Sequence, residues 1–188
     1  MYLIIDTETS GLPRDFSAPI SDVENWPKIL WLGYVLLDEN LEKIREGNYF
    51  ISQNEKIPQN VTRITNISNE VVEKYGNSIL EILNIFKEIS KKTKYLIGHN
   101  LEFDYKVIGA EIERNGFQFS LKRKKKICLM KASKSYVNIK DSNDKLTNPK
   151  LSELYEKLFS KKYEMKNSFD DIDYARKCFI KLREKKII

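Results

Sequence analysis

Residues 1–13, MYLIIDTETSGLP, set a short apolar run against an abrupt change of chemistry. Met1 to Ile5 read as a buried strand. Asp6 and Glu8 follow one residue apart, and Gly11 permits a close turn. Positions i and i+2 of a strand point to one face of a sheet, so the two carboxylates share a side. Such a pair is ordinarily a solvated sheet edge. It becomes a site only if further carboxylates are brought to the same place.

Working outward, WPKILWLGYVLLDENLEKIREGNYFI (26–51) reads as two strands joined by a turn at Asp38-Glu39-Asn40. With the first strand they make a three-stranded antiparallel meander. The period then changes: Ile79, Ile82, Leu83, Phe86 and Ile89 fall at helical spacing behind a cap at Asn77 or Ser78. KYLIG (94–98) is a short buried strand, and a helix is expected from about Glu102 to Asn115, capped by Asn100 and stopped by Gly116. KKICLM (125–130) reads as another strand and residues 134–149 as a polar loop. Two helices follow, striped by Leu151, Leu154, Tyr155 and Leu158 and by Phe169, Ile172, Phe179 and Leu182. This order predicts an α/β fold: a ribonuclease H-like mixed sheet, the meander extended by parallel strands and flanked by helices.

The length of 188 residues suits one domain, 1–188, with a substantial core. No stretch reaches the roughly 20 apolar residues of a membrane span, and Asp6 interrupts any leader-like run, so a cytoplasmic location away from membranes is expected. Cys128 and Cys178 stand isolated and read as buried, reduced thiols; with His99 they give no structural-zinc pattern. The formal charge of +6 is unevenly spread. Residues 1–90 carry 8 Lys/Arg against 14 Asp/Glu, and residues 91–188 carry 25 against 13. The basic half, densest at Lys122-Arg123-Lys124-Lys125-Lys126, suits either a polyanionic partner or a solvated loop.

Two further acids have positions that need a reason. Asp104 falls in the first turn of its helix beside Phe103, Val107 and Ile108, at the border of the apolar face, and Glu102 does not. On the last helix, at about 100° per residue, Asp170 and Asp173 lie opposite the buried arc, and Asp173 pairs with Lys177 at i,i+4. Asp171 instead lies at the margin of that arc, where an isolated charge would lose hydration. Four clustered carboxylates repel one another unless cations sit among them. Hard oxygen ligands of this kind suit Mg²⁺ or Mn²⁺, and two such ions about 4 Å apart serve phosphodiester hydrolysis.

Three segments in order, IIDTETSGLP, LIGHNLEFDYKVIGAE and NSFDDIDYARKCF, resemble the motifs of the DEDD superfamily of 3′–5′ exonucleases, in particular its proofreading, epsilon-type branch from bacterial DNA polymerase III. WPKILWLGYVLLDE, VTRITNIS and KLSELYEKLF are similar too, so the resemblance runs from residue 2 to about 182. It implies a two-metal (Mg²⁺ or Mn²⁺) exonuclease acting on DNA or RNA 3′ ends, with Asp6, Glu8, Asp104 and Asp171 as metal-binding acids. It places Thr9 and Leu12 near the terminal nucleotide, Asn100 and Phe103 beside the substrate channel, and His99 in a supporting role. The implied partners are a nucleic acid, foremost a single-stranded 3′ end, and a protein such as a polymerase. Two positions depart from the pattern. Thr65 replaces a usual histidine, and Lys166 stands where one branch has its general-base histidine, while Asn167 stands where another has tyrosine. A lysine titrating at about 10.4 is a poor base at neutral pH, so Lys166 either orients water or a phosphate oxygen, or is a surface lysine. The alternative reading of the whole chain is an exonuclease-fold module that binds nucleic acid or a partner with little turnover.

Overall fold

A computed structural model of the chain describes residues 1–164 and 167–188, the side chain of Ser168 apart. Five strands form one sheet in the order β3-β2-β1-β4-β5: β1 Tyr2–Thr9, β2 Ile29–Leu37, β3 Lys43–Phe50, β4 Tyr95–Gly98 and β5 Lys125–Cys128. The pairs β1–β2 and β2–β3 are antiparallel, whereas β1–β4 and β4–β5 are parallel. The expected mixed sheet is therefore present. All nine residues of β2 are buried, as a strand covered on both faces requires.

Helices occupy both faces. Leu3, Ile5, Leu32 and Leu36 pack with helices α3 (Ile79–Lys91) and α4 (Leu101–Arg114). Ile4, Leu30, Val35 and Leu37 pack on the other face with α1 (Gln59–Thr65), α2 (Asn69–Tyr75), α7 (Leu151–Phe159) and α8 (Asp171–Glu184). A 3₁₀ turn, Ser168–Asp170, leads into α8. Among the described residues no helix is long and apolar enough to cross a membrane.

Several expectations need correction. The first strand does not stop before the acids: it continues through Thr9, with Asp6 opposite Gly33 and Glu8 opposite Trp31. The fifth strand ends at Cys128, and short helices α5 (Leu129–Ala132) and α6 (Lys134–Val137) follow, the second inside the expected loop. Asn100 does precede α4, but its side chain makes no capping bond; it takes a left-handed conformation (φ 63°), which asparagine tolerates, and its carbonyl accepts from Phe103 N–H at 3.0 Å. Ser78 caps α3 as expected. Cys178 is buried, whereas Cys128 is half-buried; both are free thiols.

The segment after β1 is bolted to α4. Arg114 Nη2 donates to the carbonyls of Val23 (2.7 Å) and Trp26 (2.9 Å), and Nη1 pairs with buried Glu111 at 2.6 Å. Glu111 also accepts from Ile29 N–H, and Lys106 Nζ donates to the carbonyls of Phe16 (2.8 Å) and Ala18 (3.3 Å).

The basic run divides by role. Lys124 Nζ donates to the carbonyls of Ser90 and Thr93 at the end of α3, and burial lowers its pKa. Lys126 Nζ lies 3.2 Å from the centre of the Tyr105 ring, a cation–π contact. Lys122, Arg123 and Lys125 are exposed. Lys124→Ala is expected to cost about 1–3 kcal/mol in urea unfolding, the scale of hydrogen bonds to a charged donor, while Lys122→Ala changes stability by less than about 0.5 kcal/mol. Equal losses in the two variants would contradict this division.

Candidate active site

The site forms at the C-terminal end of β1, where the N-termini of α4 and α8 approach from opposite layers of the sheet. Asp6 and Glu8 leave β1 on the face that carries Trp31. A Cβ at Gly33 would lie 2.3 Å from the Trp31 ring, so glycine opposite Asp6 is what lets the indole lie across the strand. Trp31 is buried and meets Phe169 with ring centres 4.8 Å apart; Phe169 meets Phe50 at 5.1 Å. These contacts hold the turn before α8 against the sheet and so place Asp171.

Asp104 comes from the other layer. It is 3% exposed, and its Oδ1 accepts from the Thr7 hydroxyl at 2.7 Å. Thr7 itself points away from Asp6 and Glu8, toward the α4 layer, so one strand serves both sides of the site. Asp171 lies in the first turn of α8, and its Oδ1 accepts from the Tyr163 hydroxyl.

The electrostatics report convergence of all four acids. Burial raises the Asp6 carboxyl well above its usual range, and the charges of Asp104, Asp171 and Glu8 raise it further against one opposing bond from Thr7 N–H. Burial pushes Asp104 up to about 7, with Thr7 pulling it down and Glu8 up. Burial also raises Asp171, countered by the Tyr163 hydrogen bond. Among the described residues, the charges that bear on Asp6 are those of three carboxylates. This all-oxygen donor set has the chemistry of a hard divalent cation site. Among the described residues, no three His, Cys, Asp or Glu side chains stand ready-arranged around one ion. Instead Asp104 and Asp171 each meet a hydroxyl.

The remaining expected residues surround this cluster. Thr9 is buried and its hydroxyl donates to the Gly11 carbonyl at 2.7 Å, shaping the turn from which Leu12 projects with 75% exposure. Phe103 is half-buried beside Asp104, its ring 6.5 Å from that of Phe16, and Asn100 is exposed. His99 Nε2 donates to the Pro149 carbonyl at 3.0 Å, since a carbonyl can only accept; burial lowers its pKa, so the ring is neutral and ties β4 to the segment before α7. Thr65 is buried in α1 and donates to the Val61 carbonyl at 3.0 Å. Asp173 pairs with Lys177, as its spacing predicts, and with Arg176. Lys166 lies outside the described residues.

The sequence did not connect the Thr7 hydroxyl to Asp104 or that of Tyr163 to Asp171. The signal for Tyr163 was the spacing Tyr155, Phe159, Tyr163, which becomes an aromatic cluster when the chain turns back at Ser160 (φ 53°).

The sequence profile of the exonuclease family RNase T matches residues 3–182. The chain belongs to this exonuclease family. Curated relatives include the PolC-type DNA polymerase III of Ureaplasma parvum serovar 3, 29% identical over 121 residues that make up 62% of this chain and 7% of that protein. Another is the 3′–5′ exonuclease DinG of Bacillus subtilis, 26% identical over 117 residues, 62% of this chain and 11% of that protein. This exonuclease-family chain thus spans about a tenth of the length of such relatives. Among solved structures, the zinc-bound exonuclease I–single-stranded DNA complex of E. coli superposes with a TM-score of 0.72 at 14% identity, over 98% of this chain and 40% of that one. The DEDD exonuclease fold expected from the three motifs is the fold observed.

Proposed function

We propose that this domain is a metal-dependent 3′–5′ exonuclease that hydrolyses phosphodiester bonds at DNA or RNA 3′ ends. The observation that carries the reading is the convergence of Asp6, Glu8, Asp104 and Asp171 from three separate motifs, with Asp6 pressed by three other carboxylates. The hydroxyl bonds of Thr7 and Tyr163 relieve this cluster only in part, and a bound cation would relieve it without protonation. The four acids would hold Mg²⁺ or Mn²⁺. Bound divalent ions supply an activated water and neutralise charge on the phosphodiester.

The chain's own residues do the rest. Thr7 holds Asp104 in place by a hydroxyl bond that also favours its ionised form. Thr9 fixes the turn that projects Leu12, whose exposed side chain, with the half-buried ring of Phe103, offers apolar contact to the terminal nucleotide. Asn100 adds a polar group at the mouth of the site. Exposed Lys122, Arg123 and Lys125 supply phosphate-backbone attraction that weakens with salt. The names of the PolC-type relatives support a further reading of this exonuclease unit as one that works with or within a polymerase.

Stepwise 3′ shortening of 5′-labelled single-stranded DNA and RNA with Mn²⁺ tests the reading. Shortening is expected for at least one substrate, with loss of about 10²-fold or more in Asp104→Asn, the scale set by removing a preorganised electrostatic group. Binding without shortening would instead establish the non-catalytic module.

A further inference from the structure

The Tyr163 hydroxyl is held where it is by three independent anchors. Its backbone N–H donates to Glu156 Oε1 on α7 at 3.1 Å. Its ring packs on Tyr174 of α8 with centres 4.2 Å apart and on Tyr155 of α7 at 6.0 Å. Tyr174 in turn contacts Tyr155 at 4.7 Å and donates its own hydroxyl to the Glu164 carbonyl at 2.8 Å. From this seat the Tyr163 hydroxyl donates to Asp171 Oδ1. The charge of Asp6 also bears on Tyr163.

The arrangement parallels the one at Asp104, where Thr7 is the hydroxyl donor. The two acids that arrive on helices from opposite layers are therefore each oriented by a hydroxyl from a different element. The backbone of a strand or a helix fixes only the direction of the Cα–Cβ bond, so the plane of each carboxylate is set by its χ angles and by the groups that bond it. An ionised carboxylate has about four acceptor sites, so one phenol bond fixes the plane of the group and leaves room for an ion.

We propose that Tyr163 is a positioning residue of this site, holding Asp171 in the orientation that a divalent cation takes up. The inference rests on the metal reading given above. Carboxylate ligands held by hydrogen bonds of this kind typically lose 10–100-fold in metal affinity when the outer partner is removed.

Tyr163→Phe keeps the ring and deletes only the bond to Asp171. Titration calorimetry with Mn²⁺ alone, without nucleic acid, is expected to show about 10–100-fold weaker binding than wild type. Tyr174→Phe is the control. It removes a hydroxyl from the same aromatic cluster that, among the described residues, bonds the Glu164 backbone carbonyl and no acid of the site, and its Mn²⁺ affinity is expected to match wild type within about twofold. Wild-type or tighter affinity in Tyr163→Phe overturns the proposal, because the hydroxyl is then indifferent or a competitor. Equal weakening in the two variants also overturns it, because the cause is then loosened packing. Wild-type protein that takes up no Mn²⁺ overturns the metal reading and this inference together; uptake unaltered by Tyr163→Phe overturns this inference alone.

Discussion

Replacing Asp6 with asparagine is expected to make the metal-free protein more stable while removing its nuclease activity. In the absence of a cation, Asp6 is a half-buried acid facing three others, and each contribution from burial and from neighbouring charge opposes its ionisation. Asparagine keeps the shape, carries no charge, and offers N–H donors to the surrounding carboxylates. The gain, read from urea unfolding in chelator near pH 7.5, should be about 0.5–2 kcal/mol, as when other strained functional sites are relieved. Shortening of labelled oligonucleotide should fall by about 10²–10³-fold or more. The two effects belong together: a cluster assembled to hold a cation is destabilising without it. An Asp6→Asn protein less stable than wild type in chelator would show that Asp6 contributes to folding by some other route.

The second large effect is on pH dependence. Asp104 titrates at about 7 in the folded protein, against about 3.9 for an aspartate in an unfolded chain. Between those values the folded state holds a proton that the unfolded state releases. Stability without metal must therefore fall as pH rises from about 4 to about 7, by on the order of 4 kcal/mol for a shift of this size. Asp6 and Asp171, also raised, add in the same direction. Below about pH 4 the sign reverses. Burial pushes Asp173 up, but its bonds to Lys177 and Arg176 outweigh it and hold its pKa below the usual range, so that contribution is lost on protonation. Unfolding midpoints in chelator should peak on the acid side of neutrality. Saturating Mn²⁺ should restore stability at pH 7–8, by about 2.7 kcal/mol at a hundred times its dissociation constant. A flat profile in chelator from pH 4 to 8 would mean that burial does not raise Asp104.

The parts legible in sequence are those set by local pattern. Apolar runs broken at Asp38–Asn40 yielded β2 and β3, and the 3.6-residue stripe yielded α3, whose cap at Ser78 follows from residue type. Angular sorting alone separated Asp171 from Asp170 and Asp173, and the ion pair of Asp173 with Lys177 agrees with it. Helices α1 and α2, seven residues each, and α5 and α6, four each, are too short for their periodicity to stand out; packing against the sheet and against neighbouring elements holds them. The Asn100 conformation depends on how sharply β4 turns into α4, which no propensity encodes. Tyr163 meets Asp171 across eight residues only because α7 and α8 pack together and the chain turns back between them. The doubled role of β1, with Thr7 serving one layer and Asp6 the other, requires knowing that both faces of that strand are covered.

The bolts between the segment after β1 and α4 have a mechanical consequence. Arg114, Glu111 and Lys106 tie the carbonyls of Phe16, Ala18, Val23 and Trp26 to a helix whose first turn carries Asp104. One side of the site, from Phe16 to Trp26 together with the start of α4, is therefore a stiff jaw that bears load as one piece. The opposite wall is fastened to the sheet by ring contacts around Trp31 and Phe169 and through Tyr163. Any motion between the two sides would be a displacement of that second wall against a fixed anvil.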